Sequence, residues 1–444
     1  MKSLRVITLG CSKNSVDTEH LLSQVKGSYE LVPEEAEGAV DTVIVNTCGF
    51  IGDAKEQSIS EILSQAALKK QGLLNRLLVM GCLSQRYPAE LPGLIPEVDG
   101  WFGARSLKEV VEALGCSYSK SKEYVRTAAS RRLPYAFLKI SEGCDRHCSY
   151  CAIPLIRGRH RSVPIDTLVK EAEELAADGV KELVVIAQDS TWYGLDLYGR
   201  RALAELLRAL SGVKGIEWIR IHYSYPEGFP VDVLEEMASN PKICRYLDIP
   251  LQHVADPVLK AMHRGVDGAR TRELVRLMRE KVPGVVLRTT MMVGHPGEGR
   301  KEFNELMRFL GEARFERLGA FAYFEEEGTP GAANLKDSVT KRTKLSRLAR
   351  LMQRQSEISL EFNSSRIGQE VKVLVDDVVD GILICRSQYE SPEVDGEIHV
   401  KWTPESFPGK KPEDMPGRFI DVKITAADEY DLDAVPIRQD SCCK

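Results

Sequence analysis

Long hydrophobic runs are missing from this sequence. Its most apolar stretches, around Val43–Val45 and Leu183–Ala187, are a small part of the roughly 20 residues that a membrane-spanning helix requires, so no membrane role is expected. Internal repeats and low-complexity tracts are missing too, which argues against a solenoid or a disordered scaffold. Neither sign of charge dominates: 60 Lys and Arg stand against 65 Asp and Glu. The net charge of −5 excludes a strong global attraction to nucleic acid and leaves room for local patches only. A secretory leader is not expected, because Lys2 and Arg5 precede an apolar stretch that is interrupted at Cys11. The expected location is the cytoplasm.

What is present is an ordinary globular composition, 43% hydrophobic and 28% charged, over 444 residues. That length exceeds one hydrophobic core and suggests roughly two to four domains. From Leu4 to about Leu114, apolar strand candidates (Val6–Gly10, Val43–Asn46, Leu77–Met80) are followed by helical patterns such as Ala54–Lys70. This reads as a parallel α/β sheet. A polar stretch at Ser117–Arg132 reads as a linker. Six apolar runs then follow, Phe137–Ile140, Leu183–Ala187, Trp218–Ile221, Tyr246–Ile249, Val286–Met292 and Leu318–Phe324, with helical patterns between them. Six β/α units suit a partial barrel. A charged helix at Lys341–Phe362 connects this region to β-branched segments at Val371–Val375, Ile382–Cys385, Glu397–Lys401 and Phe419–Thr425, which suggest a small antiparallel β-barrel.

The sequence holds 11 cysteines. In a reducing compartment they point to metal or redox chemistry more than to disulfides. Cys144, Cys148 and Cys151 form a C-x-x-x-C-x-x-C loop directly after an apolar run. Thiolates on so short a loop suit an iron–sulfur cluster or zinc. A structural zinc would need a fourth ligand, for which His147 and His160 are the local candidates, whereas three thiolates leave one iron of a cubane cluster open. The spacing, and the strand that precedes it, resemble the radical S-adenosylmethionine superfamily. That resemblance implies an open iron chelated by the amino and carboxylate groups of S-adenosylmethionine, and one-electron cleavage to a 5′-deoxyadenosyl radical. Polar residues at the ends of the later runs, including Gln188, Asp189, His222, Gln252 and His253, would line a barrel mouth suited to such chemistry. The stretch Val293-Gly294-His295-Pro296-Gly297-Glu298 resembles the superfamily's turn beside the cofactor. Gln188, Gly294 and Glu298 are the candidate cofactor-binding residues. His253 and His263 read as satisfied polar residues of the rim.

Cys11, Cys48 and Cys82 are 37 and 34 residues apart, and each lies just beyond a strand candidate. Either separation accommodates one βαβ crossover, so the three strands would run parallel and bring the thiols to their carboxyl ends, where open α/β sheets bind ligands. Gly10, Gly49 and Gly81 stand beside them. Cys116, Cys244 and Cys385 have no such setting and read as core residues; Cys442 and Cys443 sit in the tail.

The two cysteine sets, with the small β domain after them, resemble the methylthiotransferase family over nearly the whole chain. The resemblance implies an N-terminal methylthiotransferase domain over 2–116, a linker over 117–132, a radical S-adenosylmethionine core over 133–362 and a TRAM domain, an OB-like barrel, over 366–437. It also implies two 4Fe-4S clusters, one on Cys11, Cys48 and Cys82 and one on Cys144, Cys148 and Cys151. A second S-adenosylmethionine would supply the methyl group, and an external electron donor and a sulfur donor would be needed.

That family modifies either tRNA adenosine or an aspartate of small-subunit ribosomal protein S-twelve. From Arg366 to Lys444 the chain has 17 acidic against 10 basic residues, a net −7. Such a domain would repel RNA and attract a basic partner. Gly10-Cys11-Ser12-Lys13-Asn14 with Val16-Asp17, Lys139-Ile140-Ser141-Glu142-Gly143-Cys144-Asp145, and Ile186-Ala187-Gln188-Asp189 resemble the protein-modifying branch. Ser12 replaces a frequent Pro, and His295 a frequent Phe. The expected reaction is therefore methylthiolation at the β-carbon of an aspartate in that ribosomal protein, free or in the ribosomal subunit, with tRNA as the alternative.

Overall fold

The computed structural model describes residues 1–36, 38–130 and 133–437; Cys442 and Cys443 lie outside them. In the N-terminal region, Lys2–Thr8, Tyr29–Val32, Val40–Thr47, Leu74–Gly81 and Gly100–Trp101 form a five-stranded parallel sheet. Val40–Thr47 is buried along nearly its whole length, as expected of a parallel strand covered on both faces. The first strand pairs with Val40–Thr47 on one side and Tyr29–Val32 on the other, so the strand order reverses beside it. Ligands of such sheets sit at this reversal, outside the carboxyl ends.

The central sheet has six parallel strands in sequence order: Tyr135–Lys139, Glu182–Ile186, Trp218–Ile221, Ile243–Asp248, Val286–Val293 and Arg317–Ala322. All six expected runs are strands, displaced by a few residues at their ends. Intervening helices cover the outside. Ile165–Ala177 is typical, burying Leu168, Ala172 and Leu175 along one stripe. Strand order without reversal curves the sheet into a partial barrel with two open edges. The helix Lys341–Ser364 packs across the last strand and buries Leu351 and Ile358. Leu345 on the same helix is half exposed.

The C-terminal barrel is closed by five strands, not four: Glu370–Val379, Ile382–Arg386, Ile398–Lys401, Phe419–Ala427 and Leu432–Pro436. The expected all-antiparallel arrangement holds at every pairing except Ile398–Lys401 with Leu432–Pro436, which is parallel. The loop Ser387–Asp395 of this barrel plugs the lower end of the central sheet. There Glu390 pairs with Arg317 and Arg366, Tyr246 donates to Asp395 at 2.6 Å, and Glu182 holds both Arg220 and Arg386 at 2.7 Å.

Residues 117–130 are pinned on both sides. Gln24 exchanges hydrogen bonds with both the amide and the carbonyl of Ser119, at 2.9 Å each. Buried Arg126 pairs with Glu19 of the first region at 2.9 Å and with Glu171 of the second at 3.0 Å. No helix among the described residues is long and apolar enough to cross a membrane.

Candidate iron–sulfur and substrate site

The three N-terminal strand ends align, Thr8 opposite Asn46 and Thr47 opposite Gly81, so the cysteines that follow them meet. Glycine makes this approach feasible. A Cβ on Gly10, where φ is +98°, would stand 2.7 Å from the Cys48 Cβ and 3.1 Å from its sulfur. A Cβ on Gly49 would stand 2.8 Å from the Cys82 carbonyl carbon. Only glycine fits such approaches, and only glycine adopts the first conformation freely. Burial pushes the Cys82 thiol up to about 11 and raises that of Cys48, while the Arg157 guanidinium pulls both the other way.

The second cysteine set lies on the loop after Tyr135–Lys139. The base of the loop is closed by the short pair Ser141–Glu142 and Arg161–Ser162 and by a bond from the Cys144 amide to the Gly158 carbonyl at 3.0 Å. The Arg146 amide lies 3.4 Å from the Cys144 sulfur, and Arg264 lies 3.5 Å from that of Cys148. Arg146 ties the loop to the barrel through Asp189 and Glu227 and stacks over Trp192 and Tyr225. Burial pushes the Cys144 and Cys151 thiols up to about 12. Binding a metal must therefore drive off protons that the free protein holds tightly.

Each set offers three thiolates, the soft donors that iron–sulfur clusters take. Among the described residues no three His, Cys, Asp or Glu side chains are grouped to hold one metal ion, as mononuclear zinc demands. His160 is engaged with Ser162 at 3.0 Å, and His147 offers its carbonyl to His263 at 3.2 Å. A cavity of about 360 Å³ opens beside the loop, lined by Cys148, Cys151, Arg146 and Leu155 among others. Buried oxygens of Asn46, Ser84, Ser141 and Gln188 have no hydrogen-bond partner in the protein. Buried polar atoms without partners are costly, which fits residues arranged around a bound group.

One buried arginine links the segment after the three-cysteine loop to the N-terminal set. Arg157, on the short helix after the three-cysteine loop, places Nε 3.3 Å from the Cys82 sulfur and Nη2 2.5 Å from Asn14 Oδ1. Its Nη1 reaches Asp17 at 2.8 Å and Glu142 at 3.1 Å. Lys139 pairs with the same two carboxylates. Glu142 is held down at about 2: burial alone would raise it, but Lys139 and Arg157 outweigh that.

Three protein-family models match this chain: the radical SAM superfamily over residues 138–310, uncharacterized protein family UPF0004 over 3–103, and the TRAM domain over 367–437. A protein of Porphyromonas gingivalis named ribosomal protein uS12 methylthiotransferase RimO is 47% identical over 96% of this chain and 97% of its own length. One of the same name from Bacteroides thetaiotaomicron is 45% identical over 97% of each. The chain belongs to the RimO methylthiotransferase family. Among solved structures, the radical S-adenosylmethionine methyltransferase TsrM of Kitasatospora setae shares the fold, with a TM-score of 0.57 at 15% identity over 90% of this chain and 82% of that one.

For a RimO-family enzyme, the remaining candidates fall at different depths. Gln188 donates to Glu142 at 2.9 Å beside the mouth and keeps its buried oxygen free. Gly294 has φ +75°, and a Cβ there would meet the Lys344 side chain at 2.3 Å, so packing by the connector helix demands glycine. Glu298 accepts from the Gly294 amide at 2.8 Å, pairs with Arg347 at 2.7 Å and lies 3.5 Å from His253. Its carboxylate thus holds the turn shut from within. His295 fills an aromatic slot, edge-on to Tyr323 and Tyr150, and burial lowers its pKa to about 4. His253 is fully buried with Nδ1 accepting from the Ala255 amide. Sequence reasoning missed the cations Arg146, Arg157 and Arg264; the first two lie in or just after the cysteine loop, whereas Arg264 is 116 residues from Cys148 and gave no local signal.

Proposed function

We propose that this protein methylthiolates the β-carbon of an aspartate in ribosomal protein uS12, and that its two cysteine sets act on one substrate side chain held between them. Arg157 carries this reading: it follows the radical-generating loop in sequence and touches Cys82 in space, so the two sets belong to one site. The names of the full-length relatives support the substrate. When bound, a 4Fe-4S cluster with S-adenosylmethionine at Cys144, Cys148 and Cys151 supplies the radical chemistry that removes hydrogen from an unactivated carbon, and a second cluster at Cys11, Cys48 and Cys82 supplies the sulfur.

The chain's own residues would do the rest. Arg157 and Lys139 neutralise the carboxylates between the sets and bind the first region to the barrel, which keeps the distance between the two chemistries fixed. Arg146 holds the cysteine loop over the mouth. Gln188 offers a free buried acceptor there, and the turn from Gly294 to Glu298 would support the cofactor's far side. The floor is sealed by the loop Ser387–Asp395, which leaves the mouth as the route for substrate. An external reductant and a sulfur source are required partners, and the cytoplasm, where uS12 is made, is the compartment.

Incubating the reconstituted enzyme with purified uS12 and, separately, with tRNA tests the reading. A methylthio mass gain on the aspartate of uS12 is expected; a gain on tRNA alone overturns it. The −7 charge of the C-terminal region opposes the tRNA alternative.

A further inference from the structure

At the mouth, a buried lysine has no carboxylate partner among the described residues. Lys13, the second residue of the helix Ser12–Val25, is 7% exposed. Its Nζ sits 3.3 Å over the ring of Tyr223. Among the described residues it forms no ion pair or hydrogen bond, although an ammonium carries three donors. The acidic side chains at this end are committed elsewhere. Asp17, one turn along the same helix, serves Lys139 and Arg157. Glu142 serves the same two cations and Gln188. Asp248 serves Arg288 and the Tyr223 amide, and Asp189 serves Arg146 and Thr191. A desolvated ammonium with only an aromatic face is unfavourable until an anion reaches it.

Its position indicates which anion. Lys13 is two residues from Cys11, and Tyr223 follows the barrel strand Trp218–Ile221 with a left-handed φ of +59°, a conformation rare for a bulky residue and associated with functional sites. The ammonium therefore stands where the first region meets the barrel mouth. A carbon that loses hydrogen at the mouth and gains sulfur from the N-terminal side must lie in that same gap. In aspartate, the β-carbon is bonded directly to the carboxyl carbon, so gripping the carboxylate fixes the reacting atom one bond away.

We propose that Lys13 receives the side-chain carboxylate of the substrate aspartate, selecting that residue and positioning its β-carbon between the two cysteine sets. This rests on the uS12 reading above. The test uses the reconstituted full-length enzyme and a fluorescent uS12 peptide carrying the target aspartate, or asparagine in its place, with affinity read by anisotropy. Wild type is expected to prefer the aspartate peptide by about tenfold to a hundredfold, the range of a hydrogen bond between charged groups. In Lys13→Gln the preference falls to within about threefold, and Lys13→Arg keeps part of it. The asparagine peptide probes the same contact without altering the protein, so a folding defect in a variant does not obscure the answer. If wild type binds both peptides equally, or Lys13→Gln keeps the full preference while losing iron, Lys13 serves the cysteines and the proposal fails. If wild type binds neither peptide and modifies tRNA instead, the uS12 reading itself fails, and this one with it.

Discussion

The two ends of the central sheet are both lined with buried charge, yet they differ in what is left over. At the floor, each ionic group has an ion partner: Glu182 with Arg220 and Arg386, Asp376 with Arg386 at 2.5 Å, Glu390 with Arg317 and Arg366. At the mouth, Lys13 has no anion among the described residues, several oxygens lack donors, and glycine contacts or cations stand beside Cys48, Cys82 and Cys148. The floor joins domains through these ion pairs, with Arg317 Nε and Arg366 Nε left without a hydrogen-bond partner. Buried charge and unpaired buried atoms occur at both ends, so neither by itself locates function; the cysteine sets and the lysine without a carboxylate distinguish the mouth.

The largest effect belongs to the mouth. Replacing Cys144, Cys148 and Cys151 together with Ala is expected to abolish 5′-deoxyadenosine formation while the protein retains about half the wild-type iron, on the N-terminal thiols. Iron per chain and product chromatography after anaerobic reconstitution check this. Loss of all iron would mean that the N-terminal set does not hold a cluster alone.

Next is the bridge. Arg157→Met leaves Asp17 and Glu142 with Lys139 alone and strips Cys82 of its cation. Breaking a buried ionic network in this way costs about 3–5 kcal/mol. Urea unfolding should show that loss, and iron on a variant lacking the three loop cysteines should fall further. A stable variant with full iron would make Arg157 dispensable to both regions and separate the two sets.

How far these features were legible depends on the range of the interactions. Cysteine spacing within one loop, and cysteines at recurring strand ends, are local facts, so the placement of these cysteines and the six barrel strands could be read directly. Arg157 finds Asn14 143 residues away, and Arg220 finds the Gln388 carbonyl 168 residues away. No periodicity encodes such partners. Leu432–Pro436 escaped notice because it is short, ends in Pro and pairs in parallel with a strand that is not its neighbour in sequence. The plug at Ser387–Asp395 escaped because an irregular loop has no repeat to detect. The polar stretch at Ser117–Arg132 resembled a free linker because Arg126 meets its carboxylates only in three dimensions.

The floor predicts a pH effect of intermediate size. Burial would raise the Glu390 carboxyl from its ordinary 4.5, but Arg366 and Arg317 outweigh burial and hold it at about 2. A carboxyl lowered on folding adds stability that is fully present above the ordinary value and is lost as the pH falls toward the folded one. Stability measured by urea unfolding should thus decline between about pH 4.5 and 2. Glu390→Gln should lower it by about 2–4 kcal/mol at neutral pH and flatten that decline. Iron content should not change, because the floor touches neither cysteine set.

The smallest effect separates the proposed ligand thiols from core thiols. Cys244 is 1% exposed and packs with Trp218, Tyr246, Val286 and Leu374, with no glycine beside it. Burial pushes its thiol up to about 12, leaving it protonated and inert at neutral pH. Cys244→Ala removes one sulfur from an apolar cluster and should cost about 1 kcal/mol through the small cavity left behind. Iron per chain and methylthiolation of uS12 should match wild type. Thermal unfolding, iron assay and peptide mass spectrometry on the one variant decide the matter: if iron falls, burial and thiol chemistry alone suffice for ligation, and the contrast between a glycine-cradled mouth and a packed floor loses its meaning.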